Sequence, residues 1–418
     1  MIVYKFGGAS VKDADSIKRL YSIVSNSKEN LIIVVSAMGK TTNKLERIVA
    51  LKMKGSNSYH EALIDLMNEH IKTMKELFGS GNNAIFDIVY GIFAEISKQL
   101  EDYNDNNYDF IYDKIVSAGE ILSTRIVSAY LSVAGIKNRW IDIRKHLKTG
   151  SEFREGTVDM IVTENNIKKA FDFANDNIYV TQGFIGSDSE GNTTTLGREG
   201  SDYSATLIAS ILDAGKVILW KDVDGVFNSD PKLFKDAKIM KELSYHEAIE
   251  LSFYGAKIIH PKTIKPAQNK NIPVFIKNFK VPDTEGSVIR YIEGFRPEFP
   301  VFIVKNEQIL ISVTPKDYSF VVEKHLSRLF SILNKLKIKV NLMQNSAVSF
   351  SVCCDKMESN KLKELLSGLK NEFRVLYNKN LELITIRHYN DEGISRMLKG
   401  KQILIEQRSR NTIQFVVK

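Results

Sequence analysis

The spacing of apolar and polar positions changes several times along these 418 residues, and each change marks an element. An apolar run at 2–6 breaks into Gly7-Gly8-Ala9-Ser10 and gives way to helical spacing at 14–25. The continuous run Leu31-Ile32-Ile33-Val34-Val35 predicts a buried parallel strand, ended by the small-residue loop 36–43. Residues 44–104 carry helical stripes with hinges at Gly55 and at 79–83, and a small-residue turn at 117–119 opens a further helix. Strands are predicted at 140–144 and 178–186, followed by a tight polar excursion at 188–195. The stretch 193–212 is a polar, glycine-rich turn running into a helix, with Ala205, Ile208, Ala209 and Leu212 at helical spacing. After it come a strand at 217–220, a polar loop at 221–232, a helix starting near Tyr245, a turn at 252–261 and a strand at 272–276. Strands that end in small-residue loops and lead into helices predict an α/β domain with a mostly parallel sheet between helices, whose ligands bind at the C-terminal strand ends.

Near 283–300 the pattern is interrupted by Gly286, Gly294, Pro297 and Pro300, which places a boundary between a domain at 1–295 and a second at 301–418. The second reads as strand 308–314, helix 321–336, strands 338–343 and 346–353, helix 359–371 and strand 373–377. A second start follows, with strand 381–388, helix 391–398 and strands 402–407 and 411–417. That is one complete β-α-β-β-α-β unit at about 308–377 and an incomplete copy at about 381–418. Such small sheets commonly pair across subunits, because each copy alone buries little surface.

Composition narrows the class. Apolar residues at 43% and charged residues at 26% describe a globular chain. The net charge of +8 is interspersed, so it biases towards anionic small molecules and gives no block for nucleic acid. The two cysteines, Cys353 and Cys354, are adjacent within an apolar run and read as buried free thiols of a reducing compartment. No apolar run approaches membrane-spanning length, and the cytoplasm is the expected location. His60 and His70 fall on helices and read as surface residues.

Candidate chemistry lies in the turns. Glycines before a helix start at 197–202 offer backbone N–H groups to phosphate, with Arg198 as a cationic fork and Asp202 in the first turn. Ser201 or Asp202 serves equally as a plain helix cap. The turn after 2–6 lets N–H groups approach a polyphosphate with Lys5 as a point charge, although no Gly-Lys-Ser/Thr closes it as in a Walker loop. Glu120 either stabilises the start of its helix or receives a substrate ammonium group. The loop 221–232 holds an acid, a glycine, an aromatic, Asp-Pro and a cation, suited to a ribose, a base and a phosphate or to a plain turn.

Taken in order, Lys5 to Val11, Ser36 to Gly39, Ser117 to Glu120, Gly183 to Gly186, Thr193 to Asp202, Asp222 to Pro231 and Gly255 to Pro261 closely resemble aspartate kinase, and the tail resembles the paired ACT modules of that family. The resemblance implies an amino-acid kinase fold with C-terminal ACT (ferredoxin-like) modules. It also implies ATP-dependent phosphorylation of the L-aspartate side chain to 4-phospho-L-aspartate, the first step towards lysine, threonine and methionine. By that resemblance Lys5, Gly7, Gly8, Ser10 and Ser36 hold the phosphates, and Lys5 and Asp202 are the catalytic pair. Thr41, Thr42, Glu120, Phe184, Arg198, Gly200 and Ser201 form the aspartate pocket. Lys221, Asp222, Phe227, Asp230, Lys232, Lys257 and Ile258 line the nucleotide site. Magnesium is implied on the ATP phosphates with no protein-built metal cage, and the partners implied are an amino-acid effector at the ACT region and a homodimer or homotetramer through those modules.

The sequence departs from the family at four places. Glu199 stands where most relatives carry glycine, and Phe227 where a tyrosine is common. Asn341 and Ala347 stand where lysine-sensitive relatives offer an Asp and a Glu to the effector, which predicts weak binding of a cationic effector. The rival expectations are a kinase of glutamate, acetylglutamate or a nucleotide monophosphate, and a non-catalytic ACT sensor. Glu120 with Arg198 favours a zwitterionic substrate, and intact Lys5, Arg198 and Asp202 favour turnover.

Overall fold

The computed structural model describes residues 1–79, 84–105, 107–256, 259–317 and 319–418. The predicted hinge at 80–83 and the candidate ligands Lys257 and Ile258 lie outside the described residues. The chain divides into two compact units, one of Met1–Val226, Ile239–Ile249 and Ile258–Phe295, the other of Phe227–Lys238, Glu250–Lys257 and Arg296–Lys418. Where the pattern places one boundary, two earlier segments join the C-terminal unit.

In chain order the first part holds β1 (Ile2–Phe6), α1 (Ala14–Ser25), β2 (Leu31–Val35), α2 (Thr41–Met53), α3 (Ser58–Phe78), α4 (Ala84–Asp102), α5 (Tyr108–Val116), α6 (Ala118–Val133), β3 (Arg139–Ile141), α7 (Met160–Ala170), β4 (Ile178–Gln182), β5 (Ile185–Ser187), β6 (Thr193–Thr195), α8 (Gly200–Ile211) and β7 (Lys216–Lys221). It continues with β8 (Val226–Phe227), β9 (Ile239–Met240), β10 (Glu242–Ser244), α9 (Tyr245–Tyr254), α10 (Pro261–Asn269), β11 (Val274–Asn278) and β12 (Ser287–Arg290). The large sheet runs β10-β12-β11-β7-β1-β2-β4-β3. β1 pairs in parallel with β2 on one side and β7 on the other, and only β11 with β12 is antiparallel. Every residue of β1 and β2 is buried, which is why both read as unbroken apolar runs rather than alternating ones.

The parallel register brings the loops after β1, β2, β4 and β7 to one edge of the sheet. Gly8 and Gly183 are there for close approach. A Cβ on Gly8 would meet the carbonyl oxygens of Gly39 and Ala37 at 2.7 and 2.8 Å, and one on Gly183 would meet Ser201 Cα at 2.6 Å.

Local geometry corrects three pattern-based elements. The strand expected at 140–144 stops at Ile141, because Asp142 accepts the Arg144 N–H and turns the chain into a 3-10 turn at Ile143–Lys145. The strand expected at 178–186 breaks after Gln182, where Phe184 adopts φ 70°, and resumes as the β5–β6 hairpin. Ser287–Arg290, within the expected boundary region, is a strand of the large sheet.

The second unit holds β13 (Val301–Pro315), α11 (Glu323–Lys335), β14 (Val340–Asn345), β15 (Phe350–Asp355), α12 (Ser359–Lys370), β16 (Phe373–Arg387), α13 (Asp391–Leu398), β17 (Ile403–Arg408) and β18 (Thr412–Val417). They form one antiparallel sheet in the order β14-β15-β13-β16-β18-β17. The strands expected at 373–377 and 381–388 are one 15-residue strand, and it pairs along its length with an equally long β13. Residues 301–305, at the front of β13, pair with 383–387 and so supply a strand to the shorter copy. Cys353 and Cys354 alternate across this sheet, and burial pushes their thiols up to about 12 and about 11, keeping them protonated and unreactive. Among the described residues no helix is long and apolar enough to cross a membrane.

His70 corrects its surface reading. It is 2% exposed, inside the α3–α4 contact, with Nδ1–H donating to Leu66 O at 2.8 Å and the ring edge-on to Phe93. Nε2 meets no hydrogen-bond partner among the described residues. Burial lowers the His70 pKa, so the unfolded chain takes up the proton more readily than the folded one. The stability it contributes is complete above the unfolded value of about 6.5 and is lost as pH falls below it. We expect Tm to drop between pH 7 and pH 5 with a slope that His70→Gln reduces; equal slopes in thermal melts of the two proteins would refute this.

Candidate active site

The centre of the site is a buried carboxylate between two ammonium groups. Asp202, in the first turn of α8, places Oδ1 2.6 Å from Lys5 Nζ and Oδ2 3.0 Å from Lys221 Nζ. β1 carries Lys5 one residue before its end, β7 ends on Lys221, and the neighbouring parallel strands leave both side chains at the same edge. An acid in a first helical turn also faces the positive end of the helix dipole. Burial alone would raise the Asp202 pKa, but Lys221 and Lys5 outweigh it and hold the carboxylate well below its usual range. Burial lowers the Lys221 pKa, and Asp202 and then Glu199 more than offset that, so it stays charged. The trio carries a net positive charge and donors in excess of what one carboxylate needs, a combination suited to an anion.

The phosphate-type turn sits directly beside it. Lys5 Nζ lies 3.5 Å from where a Gly7 Cβ would be, an ordinary contact distance that puts the turn directly beside the ammonium. Ser10 N–H donates to Gly7 O at 2.9 Å, and Ser10 Oγ donates to Trp220 O at 3.3 Å, tying the turn to β7. Ser36 N–H donates to Phe6 O, which joins the loops after β1 and β2.

On the other side of that joint lies Glu120, 3% exposed at the start of α6. Its Oε1 accepts the Ala37 N–H at 3.3 Å, while Oε2 is buried with no hydrogen-bond partner among the described residues. Burial raises its pKa to about 8 against the Ala37 N–H bond and the Lys5 charge. The backbone around it is tied in place: Ser123 Oγ donates to Ser36 O at 2.7 Å, Thr124 Oγ1 donates to Glu120 O at 2.8 Å, and Gln182 Nε2 donates to Thr124 Oγ1 at 2.8 Å. Thr41 is buried against Gly119, its Cγ2 3.2 Å from a Cβ placed there, while Thr42 is only partly buried.

Arg198 is exposed on the loop before α8 and enters no ion pair among the described residues. Gly200 and Ser201 pack under Phe184 and Gly183: a Cβ on Gly200 would lie 2.7 Å from Phe184 Cδ2, and Ser204 Oγ accepts the Phe184 N–H at 3.1 Å. One edge of the first unit therefore carries Lys5, Gly7, Gly8, Ser10, Ser36, Thr41, Thr42, Glu120, Phe184, Arg198, Gly200, Ser201, Asp202 and Lys221. Asp222 follows Lys221 and is exposed. Phe227, Asp230 and Lys232 belong to the second unit, where Asp230 Oδ1 accepts the Lys232 N–H at 2.9 Å in a side-chain-capped turn.

One support escapes a reading by pattern. Asp113, fully buried in α5, accepts Thr195 N–H at 2.8 Å, Thr195 Oγ1–H at 2.6 Å and Arg154 N–H at 2.8 Å, fixing the chain that leads into Gly197. An acid among the apolar residues Ile111, Tyr112, Ile115 and Val116 was the available signal. His260 caps α10 by accepting the Lys262 N–H on its Nδ1.

The model of the amino acid kinase family matches residues 1–278. The lysine-sensitive aspartokinase 3 of Escherichia coli (strain K12) is 31% identical over 356 residues, 85% of this chain and 78% of that protein. The chloroplastic aspartokinase 1 of Arabidopsis thaliana is 32% identical over 84% of this chain, which spans 63% of that longer protein. Among solved structures, E. coli aspartokinase III in complex with aspartate and ADP, in its R-state, is similar with a TM-score of 0.83 at 28% identity, covering 100% of this chain and 96% of that one. With its glycine turns, Lys5–Asp202–Lys221 group and parallel sheet already in place, the chain belongs to the amino acid kinase family, in its aspartokinase branch.

Proposed function

We propose that this chain is a cytoplasmic aspartate kinase that transfers the γ-phosphoryl group of ATP to the β-carboxylate of L-aspartate, giving 4-phospho-L-aspartate and ADP. The observation that carries this reading is the juxtaposition of the Lys5–Asp202–Lys221 group with buried Glu120, whose free oxygen suits an ammonium group. In the transfer a carboxylate oxygen forms the new O–P bond while the bond to the β,γ-bridging oxygen breaks and its electron pair leaves with ADP. The nucleophile is already ionised at neutral pH, so no base has to remove a proton. The work left to the protein is alignment and neutralisation of charge on the transferring group. Lys5 is assigned to that charge, with Asp202 holding Lys5 and Lys221 in place. Gly7, Gly8, Ser10 and Ser36 offer the phosphate turn. Glu120 is assigned to the substrate ammonium and Arg198 to its α-carboxylate, with Thr41, Thr42, Phe184, Gly200 and Ser201 around them. Asp222, Phe227, Asp230 and Lys232 are assigned to the nucleotide, as are Lys257 and Ile258.

Among the described residues no three acids, histidines or cysteines converge on a metal position, and both oxygens of Asp202 are engaged by lysines. The residues fit magnesium carried on the ATP phosphate oxygens, where it would neutralise β- and γ-phosphate charge.

The second unit is assigned to regulation by an amino-acid effector. Its sheet has two free edges, β14 and β17, which suits pairing into a homodimer or homotetramer. Asn341 already has its own cation: Lys305 Nζ donates to Asn341 Oδ1 at 3.0 Å, and Asn341 Nδ2 donates to Asp355 Oδ1 at 2.8 Å. That supports insensitivity to a cationic effector at this position.

Four outcomes test the reading. A hydroxamate assay should show turnover with aspartate and little with glutamate or acetylglutamate, and Arg198→Ala should raise the aspartate KM about 10-fold or more with a smaller change in kcat, because one anchor is lost from ground and transition states alike; an unchanged KM would remove Arg198 from the pocket. Because Glu120 must be ionised to receive an ammonium group and titrates at about 8, kcat/KM for aspartate should rise with pH up to that value, and Glu120→Gln should flatten the profile. Lysine at millimolar concentration should leave activity largely intact, whereas inhibition saturating at micromolar lysine would contradict the account of Asn341.

A further inference from the structure

Glu199 is the N-cap of α8, in the left-handed region at φ 52° and ψ 28°, a conformation that favours glycine. Its side chain does not cap its own helix. It reaches to α10 instead, where Oε2 accepts the backbone N–H of His260 at 2.7 Å. A second tie runs the opposite way three residues earlier. Lys262, in the first turn of α10, donates from Nζ to Leu196 O at 3.2 Å, with its ammonium 4.8 Å from the centre of the Tyr203 ring. His260 Nδ1 accepts the Lys262 N–H at 3.2 Å, so the two anchors on α10 are joined to each other. Residues 196 and 199 are thus both moored to the start of one helix, and Gly197 and Arg198 span the gap between them. At Gly197 the backbone turns with φ 75°, close to Arg154 O on its other side. The backbone of Arg198 is held from both ends, although its side chain is exposed and enters no ion pair among the described residues.

From this geometry we infer that Glu199 is a positioning residue for the substrate: its carboxylate moors the α8 cap to the α10 start and thereby sets the direction in which Arg198 is presented. The inference rests on the assignment of Arg198 to the aspartate α-carboxylate. A side chain in a left-handed cap is unfavourable for the backbone, and what it gains here is the bond to the His260 N–H. The same carboxylate also lies near enough to Lys221 to help keep it charged, so a purely electrostatic action on the phosphate side is the alternative to be separated.

Three variants of the full chain separate these, with steady-state kinetics in aspartate and in ATP and a thermal melt of each. Glu199→Ala, which keeps the strained turn and removes the mooring, should raise the aspartate KM about 5-fold or more while kcat stays within about 2-fold, the pattern of a weakened anchor. Glu199→Gln keeps an oxygen for the His260 N–H and loses the charge, and should return the aspartate KM to within about 2-fold of wild type. Glu199→Gly relieves the turn without restoring the mooring, and should resemble Glu199→Ala in KM even where its Tm is higher. If Gln behaves like Ala, with the change mainly in the ATP KM, the action is electrostatic and the inference fails. If Gly has the wild-type aspartate KM, the residue merely occupies a turn, and the inference fails as well. A wild-type chain that does not turn over aspartate would instead overturn the functional assignment.

Discussion

Everything at the site depends on the carboxylate of Asp202 being shared by Lys5 and Lys221. Lys5 and Asp202 are buried and Lys221 is partly buried; each would be costly to desolvate alone, and together they are tolerable because each oxygen of the acid has a cationic donor. The same contact fastens the first turn of α8 to the ends of β1 and β7, so one interaction decides both where the helix starts and where the positive charge lies. A site that must attract a polyphosphate benefits from that arrangement, since two lysines against one acid leave a surplus of positive charge without leaving a bare lysine buried.

Around that contact the chain is compressed. The loops after β1 and β2 meet at Gly8, where two carbonyl oxygens occupy the space of a side chain, and the loop after β4 meets α8 at Gly183 and Gly200. Glycine at these positions allows separate loops to pack this closely. The opposite tactic holds Glu120. There the polar group is buried with one hydrogen bond among the described residues, so burial disfavours its charged form, and the neighbouring Ser123, Thr124 and Gln182 tie the backbone in place.

The C-terminal sheet reuses two long strands. β13 and β16 pair over most of their length, with irregularities between Lys305 and Leu310, and each serves both halves of the sheet. Helices α11 and α12 cover Ile309, Ile311, Val313 and Val352, while α13 covers Phe302, Ile384 and Ile386. A bulge near 305–310 lets one strand twist between the two halves without exposing an extra edge.

The sequence by itself determined the order of the central parallel strands and the places of the turns after them, because buried parallel strands are unbroken apolar runs and the turns that end them need glycine and small residues. It also singled out Lys5, Glu120, Arg198 and Asp202 by residue type at helix and strand ends. What only the tertiary structure decided is which of these meet and which polar side chains are supports. Asp113 looks like any acid on a helix until Thr195, eighty-two positions away, donates to it. His70 looks exposed on a polar-faced helix until α4 closes over it. The two long strands look like three shorter ones, with 301–305 unread, since irregularities in their pairing interrupt the alternation that marks a strand. In each case the deciding contact is made by residues far apart in the chain, and local periodicity carries no record of a partner that arrives only when the sheet is assembled.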